Sequence, residues 1–314
     1  MLKNICIFIV CSMLFFVPFV NAQTKPAGSG PYPAVIEGDP GVPGHTIYRP
    51  GDLSPFNKKN PLPVLAWGNG GCANSNTFYA PFLAEVASQG FLVVAIGPYS
   101  AESFSQSGGR GGMMGGGSTK SEQLLEVLDW ATAENINKNS KYCGKLNPSK
   151  FAVAGHSCGG LQALEIAADP RVSTTLAMDS GIFAGGLPKM GPPRAGAPKA
   201  GGMQMVLPNV KKEDLQKLHS PVVYIDGGKD DMAYKNGEDD FTKINKVPVA
   251  IAHLDGAGHG GTYMQPNGGE FGEVAAAWLK WQLNRDQEAM KMFAGEDCTL
   301  CKDPKWEYKK KKIP

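Results

Sequence analysis

The pentapeptide Gly155-His156-Ser157-Cys158-Gly159 lies between an all-apolar run, Phe151-Ala152-Val153-Ala154, and a helix-forming run from Leu161 to Ala168. This arrangement constrains the fold more than any other feature of the chain. A buried strand must turn sharply into a helix, and glycines flank the serine because the turn leaves no room for side chains there. A strand that passes directly into a helix also implies a sheet against which that helix folds back.

The rest of the chain agrees with that demand. From residue 62 onward, strand-like and helix-like segments alternate, the pattern of a mostly parallel sheet with helices on both faces. Strands are expected at Pro63–Trp67, Phe91–Ile96, Thr174–Met178, Val222–Ile225 and Val249–Ala252, with helices near Phe78–Ser88 and Val274–Leu283. Thr119-Lys120-Ser121-Glu122 reads as a capping box that opens a helix to about Asn135, with Leu124, Leu125, Leu128 and Ala131 on one face. One α/β domain over residues 23–294 accommodates all of these segments. Two stretches break the rhythm: Ser107–Ser118 is rich in glycine, and Gly185–Met205 in Gly, Pro, Ala and Met. Each follows a strand's carboxyl end, so both are expected at the mouth of a site, as floppy loops or as adaptable apolar contacts.

Residues 1–22 have the form of a secretion signal, with Lys3, an apolar run from Ile5 to Val20, and small residues before Gln23. An exported chain is the expectation, secreted or periplasmic, with no stable membrane span once the signal is removed. Seven cysteines then become five, because Cys6 and Cys11 leave with the signal. The odd remainder leaves at least one thiol without an internal partner. Cys298 and Cys301, in a C-terminal tail from 295 to 314, suit a small structural clasp. Lys309–Lys312 reads as a solvated, frayed end. The net charge of +2 gives no argument for nucleic acid as a partner.

A serine hydroxyl needs a neighbouring base to become a nucleophile, and that base needs an acid to hold its tautomer. Five histidines are available. His45 precedes the sheet, and His219 lies in a polar stretch. His156 is expected to point into the fold, and His253 to pack within a strand. His259 follows the last expected strand in a glycine-rich loop, where an imidazole can swing over Ser157. For the acid, Tyr224-Ile225-Asp226-Gly227-Gly228-Lys229-Asp230-Asp231 offers three carboxylates. Asp230 is favoured as lying far enough into the loop to turn back, Asp231 is its near rival, and Asp226 is expected to tie down the loop. Asp179, after an earlier strand, is a less common acid position.

An oxyanion formed on Ser157 would need two backbone N–H donors. Cys158, next in the chain, is one. Gly71 or Cys72, in the loop after the Pro63–Trp67 strand, is the other, with Cys72 favoured. Two residues that donate to one oxygen lie close together, so Cys72 and Cys158 are either bridged across the oxyanion hole or two small buried thiols.

Three strings, Ala87-Ser88-Gln89-Gly90-Phe91, Gly155-His156-Ser157 and Leu254-Asp255-Gly256-Ala257-Gly258-His259, resemble the secreted bacterial cutinase and polyester-hydrolase branch of the α/β-hydrolase superfamily. Dienelactone-hydrolase-like and chlorophyllase-like esterases share the architecture. The resemblance implies an α/β-hydrolase fold in which Ser157, Asp230 and His259 are catalytic and the N–H groups of Cys72 and Cys158 form the oxyanion hole. It departs from the cutinase pattern at Cys72, usually an aromatic residue, and at Cys158, usually methionine. The expected function is a serine esterase acting on small or polymeric carboxylic esters through an acyl-enzyme, with no metal or organic cofactor. An amidase or peptidase with the same triad, and a non-catalytic wall- or carbohydrate-binding protein, are the alternatives. Oligomeric state is left open.

Overall fold

The computed structural model describes residues 27–103, 119–184 and 207–314. The expected signal segment and both Gly/Met-rich loops lie outside the described residues. Nine strands form one sheet: β1 (Ala34–Glu37), β2 (His45–Pro50), β3 (Leu62–Gly68), β4 (Leu92–Ile96), β5 (Leu146–His156), β6 (Val172–Met178), β7 (Val222–Asp226), β8 (Val249–Leu254) and β9 (Trp306–Lys311). The main helices are α1 (Ala80–Ser88), α2 (Glu122–Ile136), α3 (Cys158–Ile166), α4 (Tyr234–Lys243) and α5 (Gly269–Asn284). Two short ones follow, α6 (Gln287–Met290) and α7 (Thr299–Lys302).

The strands lie in the order β1-β2-β4-β3-β5-β6-β7-β8-β9. All pairings from β4 to β8 are parallel, and the strands at both margins are antiparallel. This is a mixed α/β fold of the α/β-hydrolase-like kind. Its parallel strands are mostly buried and rich in apolar residues because both faces are covered. On β3, Leu65 and Trp67 face a layer built from α1 and α5, with Phe82, Trp278 and Leu279. Val64 and Ala66 face the opposite layer, with Leu124 and Leu128 of α2. Further along that second face, Leu161 and Leu164 of α3 pack with Phe241 of α4. Completely burying each such large side chain stabilises the fold by about 1.5–3 kcal/mol. Trp278 combines burial with a polar partner, its indole N–H donating to Thr174 Oγ1 at 2.8 Å.

Three expectations are corrected. The basic tail is not frayed: Trp306–Lys311 forms β9, antiparallel to β8. Trp306 and Tyr308 join the apolar layer of α5, and the Lys309 ammonium pairs with Glu238 and Glu307. The capping box of α2 does not form. Ser121, its N-cap, donates instead to Glu165, and Thr119 Oγ1 donates to the Cys72 carbonyl. His45, expected to precede the sheet, opens β2, one of two strands before residue 62. The expected clasp is present as a Cys298–Cys301 disulfide, and Cys143 is free. No helix among the described residues is long and apolar enough to cross a membrane.

Candidate active site

Ser157 stands between β5 and α3 with φ 53° and ψ −114°, a sparsely populated conformation that costs about 1–3 kcal/mol and so has to be held by its surroundings. Its N–H donates to the Met178 carbonyl at 2.8 Å, and its own carbonyl accepts from Ser180 Oγ at 2.8 Å. The flanking glycines are required by close approach. A Cβ on Gly159 would lie 2.1 Å from the Gly68 carbonyl, and one on Gly155 would lie 2.3 Å from Gly159.

His259 sits in a tight turn, Gly258–Gly260, beyond β8. Its Nε2 is 3.0 Å from Ser157 Oγ, and its Nδ1 is 2.6 Å from Asp231 Oδ1. An ionised carboxylate only accepts, so Nδ1 carries the proton and Nε2 is left to accept from the serine hydroxyl. The carboxylate in this line is therefore Asp231, and the expectation of Asp230 is corrected. The chain curls through a 3-10 turn at Gly228–Asp230, which sends the Asp230 side chain to solvent and the next residue inward. Asp231 is buried, and its Oδ1 also accepts from the Ala233 N–H two residues on, at 2.8 Å. Burial pushes its carboxyl up, but the hydrogen bonds from His259, Asp179 and Ala233 outweigh this and hold it below the ordinary aspartate value. The local signal that could have separated the two acids is this Asx turn leading into α4.

His156 points into the fold, as expected. Gly70 N–H donates to Tyr79 Oη at 2.8 Å, and Tyr79 O–H to His156 Nδ1 at 2.8 Å. His156 Nε2–H then donates to the His259 carbonyl at 2.9 Å. A buried chain of polar groups thus joins the loop after β3 to the turn that carries His259. Burial, and then the neighbouring His259, push the His156 imidazole down to about 3, so it is neutral. Of the remaining histidines, His45 bonds the Gln123 carbonyl and His219 the Asp169 carbonyl. His253 is buried in β8 between Asp226 and Glu238.

Cys72 and Cys158 are joined by a disulfide, with their α-carbons 5.2 Å apart. The bridge ties the loop after β3 to the first residue of α3, directly beside Ser157. That loop is further fixed by Asn69, whose side-chain NH2 donates to the Ala73 and Ile96 carbonyls. Cys72 is wholly buried, whereas Gly71 and Cys158 line the cavity in front of Ser157. The cavity holds about 370 Å³ and is mostly apolar, with Leu161, Phe183, Leu207 and Met232 forming its walls. Met232 is 78% exposed, unusual for a large apolar side chain. At the base of the site lies Asp179, which is completely buried with φ 42°. Its carboxyl accepts from Gly227 N–H at 3.0 Å and from Tyr263 O–H at 2.6 Å.

The site therefore brings Ser157, His259 and Cys158 together with Asp231, leaves Asp230 outside, and ties Cys72 to Cys158 beside the serine. A hydroxyl on a neutral imidazole, itself backed by a buried carboxylate, is an arrangement competent for nucleophilic attack. Two disulfides in one small domain are the chemistry of an oxidising compartment. The chain matches no protein-family model and no curated protein sequence.

Proposed function

We propose that this protein is an exported serine hydrolase of the α/β-hydrolase superfamily that cleaves carboxylic esters through an acyl-enzyme on Ser157. The observation that carries the reading is the continuous line from Ser157 Oγ through His259 to Asp231 at 3.0 and 2.6 Å. His259 Nε2 takes the serine proton as Oγ attacks the ester carbonyl. Asp231 holds the tautomer and stabilises the imidazolium. The developing oxyanion is received by the Cys158 N–H at the start of α3 and by an N–H of the Gly71–Cys72 loop. His259 returns its proton to the departing alcohol. Water then attacks the acyl-enzyme with the same histidine as base, which releases the acid and restores Ser157. The apolar walls favour an uncharged acyl or alcohol group.

Hydrolysis of p-nitrophenyl esters of increasing acyl length tests the reading. Wild type should turn over, the length profile should reach a limit set by the cavity, and Ser157→Ala should be inert. A folded wild type without activity on any ester overturns it. Export is tested separately: N-terminal sequencing of the protein recovered from medium or periplasm should begin near Gln23.

A further inference from the structure

We propose that Asp179 is a positioning residue, one that shares a single proton with Asp231 and so holds Asp231 in line with His259. The inference rests on the serine-hydrolase reading of the same site. Asp179 leaves the end of β6 in a left-handed conformation, which turns its side chain under the loop after β7. The two carboxyl groups converge on one donor, the Gly227 N–H, which lies 3.0 Å from Asp179 Oδ1 and 3.5 Å from Asp231 Oδ2. Two buried carboxyl groups brought together at one donor repel each other if both ionise, and a single proton shared between them relieves this by letting one donate to the other. Asp231 is the one that also accepts from His259 and from Ala233 N–H, donors that favour its ionised form. The proton therefore resides on Asp179.

The groups around Asp179 act in both directions: the donors Gly227 and Tyr263 favour its ionised form, while burial and the neighbouring carboxylates favour the neutral acid. From the 3-10 turn Thr77–Tyr79 comes Tyr79 and from the loop after β8 comes Tyr263, two phenols of which Tyr263 donates to Oδ2. From β5 comes His156, whose Nε2 is 3.6 Å away but is committed to the His259 carbonyl and is neutral. From the loop after β7 come Asp231 and, more distantly, Asp226, both of which disfavour a second negative charge. Burial first, and the charge of Asp231 second, push the Asp179 carboxyl well above the ordinary aspartate value. At neutral pH Asp179 donates to Asp231. In alkaline solution its ionisation would set two carboxylates against each other and release Asp231 from His259.

The test compares Asp179→Asn with Asp179→Ala in the full-length mature protein. An asparagine amide keeps an acceptor for Tyr263 at the Oδ2 position and places its NH2 toward Asp231, leaving the Gly227 N–H to Asp231 Oδ2; it supplies the donor that the protonated acid supplies, and it does not titrate. Asp179→Asn should keep kcat within about threefold of wild type at neutral pH, while Asp179→Ala should lower kcat by about 30-fold or more with KM little changed. Wild type should lose kcat on the alkaline side, and Asp179→Asn should not. The downfield proton resonance of the His259 Nδ1–H should persist in Asp179→Asn and vanish in Asp179→Ala. If Asp179→Ala does not fold, the alkaline limb and resonance of Asp179→Asn decide the matter. Asparagine that is as slow as alanine, or an alkaline limb unchanged in Asp179→Asn, overturns the proposal. An inactive wild type whose resonance still responds to Asp179 as expected defeats the esterase reading and leaves this one standing.

Discussion

Two histidines in this molecule each present Nδ1 to an aspartate from the β7 region, and they come to opposite ends. His259 bonds Asp231 at 2.6 Å and His253 bonds Asp226 at 2.5 Å. The difference lies at the other nitrogen. His259 Nε2 meets the hydroxyl of Ser157, and its side chain is 24% exposed at the cavity. His253 Nε2 meets a second carboxylate, Glu238, at 2.6 Å, and its side chain is 1% exposed. Burial pushes His253 down, but Asp226 and Glu238 together raise it above the ordinary histidine value. One imidazole offers its second nitrogen to a hydroxyl; the other is held between two carboxylates and serves as a buried clamp. Lys309 extends that clamp from Glu238 to β9, which fastens the last strand to the sheet. An aspartate at Nδ1 therefore does not by itself mark a catalytic histidine; the partner of Nε2 decides.

Substitution at the two sites should separate activity from stability. His259→Ala or Ser157→Ala is expected to lower kcat by about 10⁴-fold or more with the fold intact, read by ester turnover alongside circular dichroism. Asp231→Asn should follow at about 10³- to 10⁴-fold, because the amide no longer enforces the tautomer. Asp230→Asn should stay within about twofold, and equal losses at the two positions would return the acid role to Asp230. His253→Gln inverts the pattern. It should cost about 3–5 kcal/mol of unfolding free energy, since two carboxylates lose their shared cation, with kcat changed by less than about threefold. Urea denaturation measures that cost, and unchanged stability would refute the clamp.

Smaller effects sharpen the comparison. Reduction of Cys72–Cys158, or its replacement by paired alanines, should lower kcat about tenfold while leaving KM nearly constant, because the bridge orders the backbone N–H groups proposed to receive the oxyanion. Single-turnover kinetics with and without reductant would show it. His253 also predicts a pH dependence. Its folded pKa is raised above the unfolded value of 6.5, so its contribution is complete below that pH. The contribution is lost as pH rises through the folded pKa. Denaturation midpoints should fall as pH rises above 6.5 in wild type and lack this component in His253→Gln.

Much of this architecture could be read from local pattern. The parallel strands are apolar runs because both faces are buried, and the turn at Ser157 announces itself through glycines that nothing larger could replace. What escaped was written in weak or ambiguous signals. β9 reads as solvent-facing because Glu307, Lys309 and Lys311 are charged, yet an edge strand needs only one apolar face, supplied here by Trp306 and Tyr308. Thr119 has the sequence position of a capping residue and spends its hydroxyl on the Cys72 carbonyl, 47 positions away.

The sequence alone determined the parallel part of the sheet, the serine between strand and helix, and the histidine beyond the last parallel strand. Each is encoded by neighbours within a few positions. Only the tertiary structure decided between Asp230 and Asp231, between bridged and free Cys72 and Cys158, and between the two histidine–aspartate pairs. Adjacent residues in a tight turn point to opposite sides. Which of them is buried against a distant imidazole depends on donors such as Gly227 and Ala233, whose positions exist only once the sheet has formed.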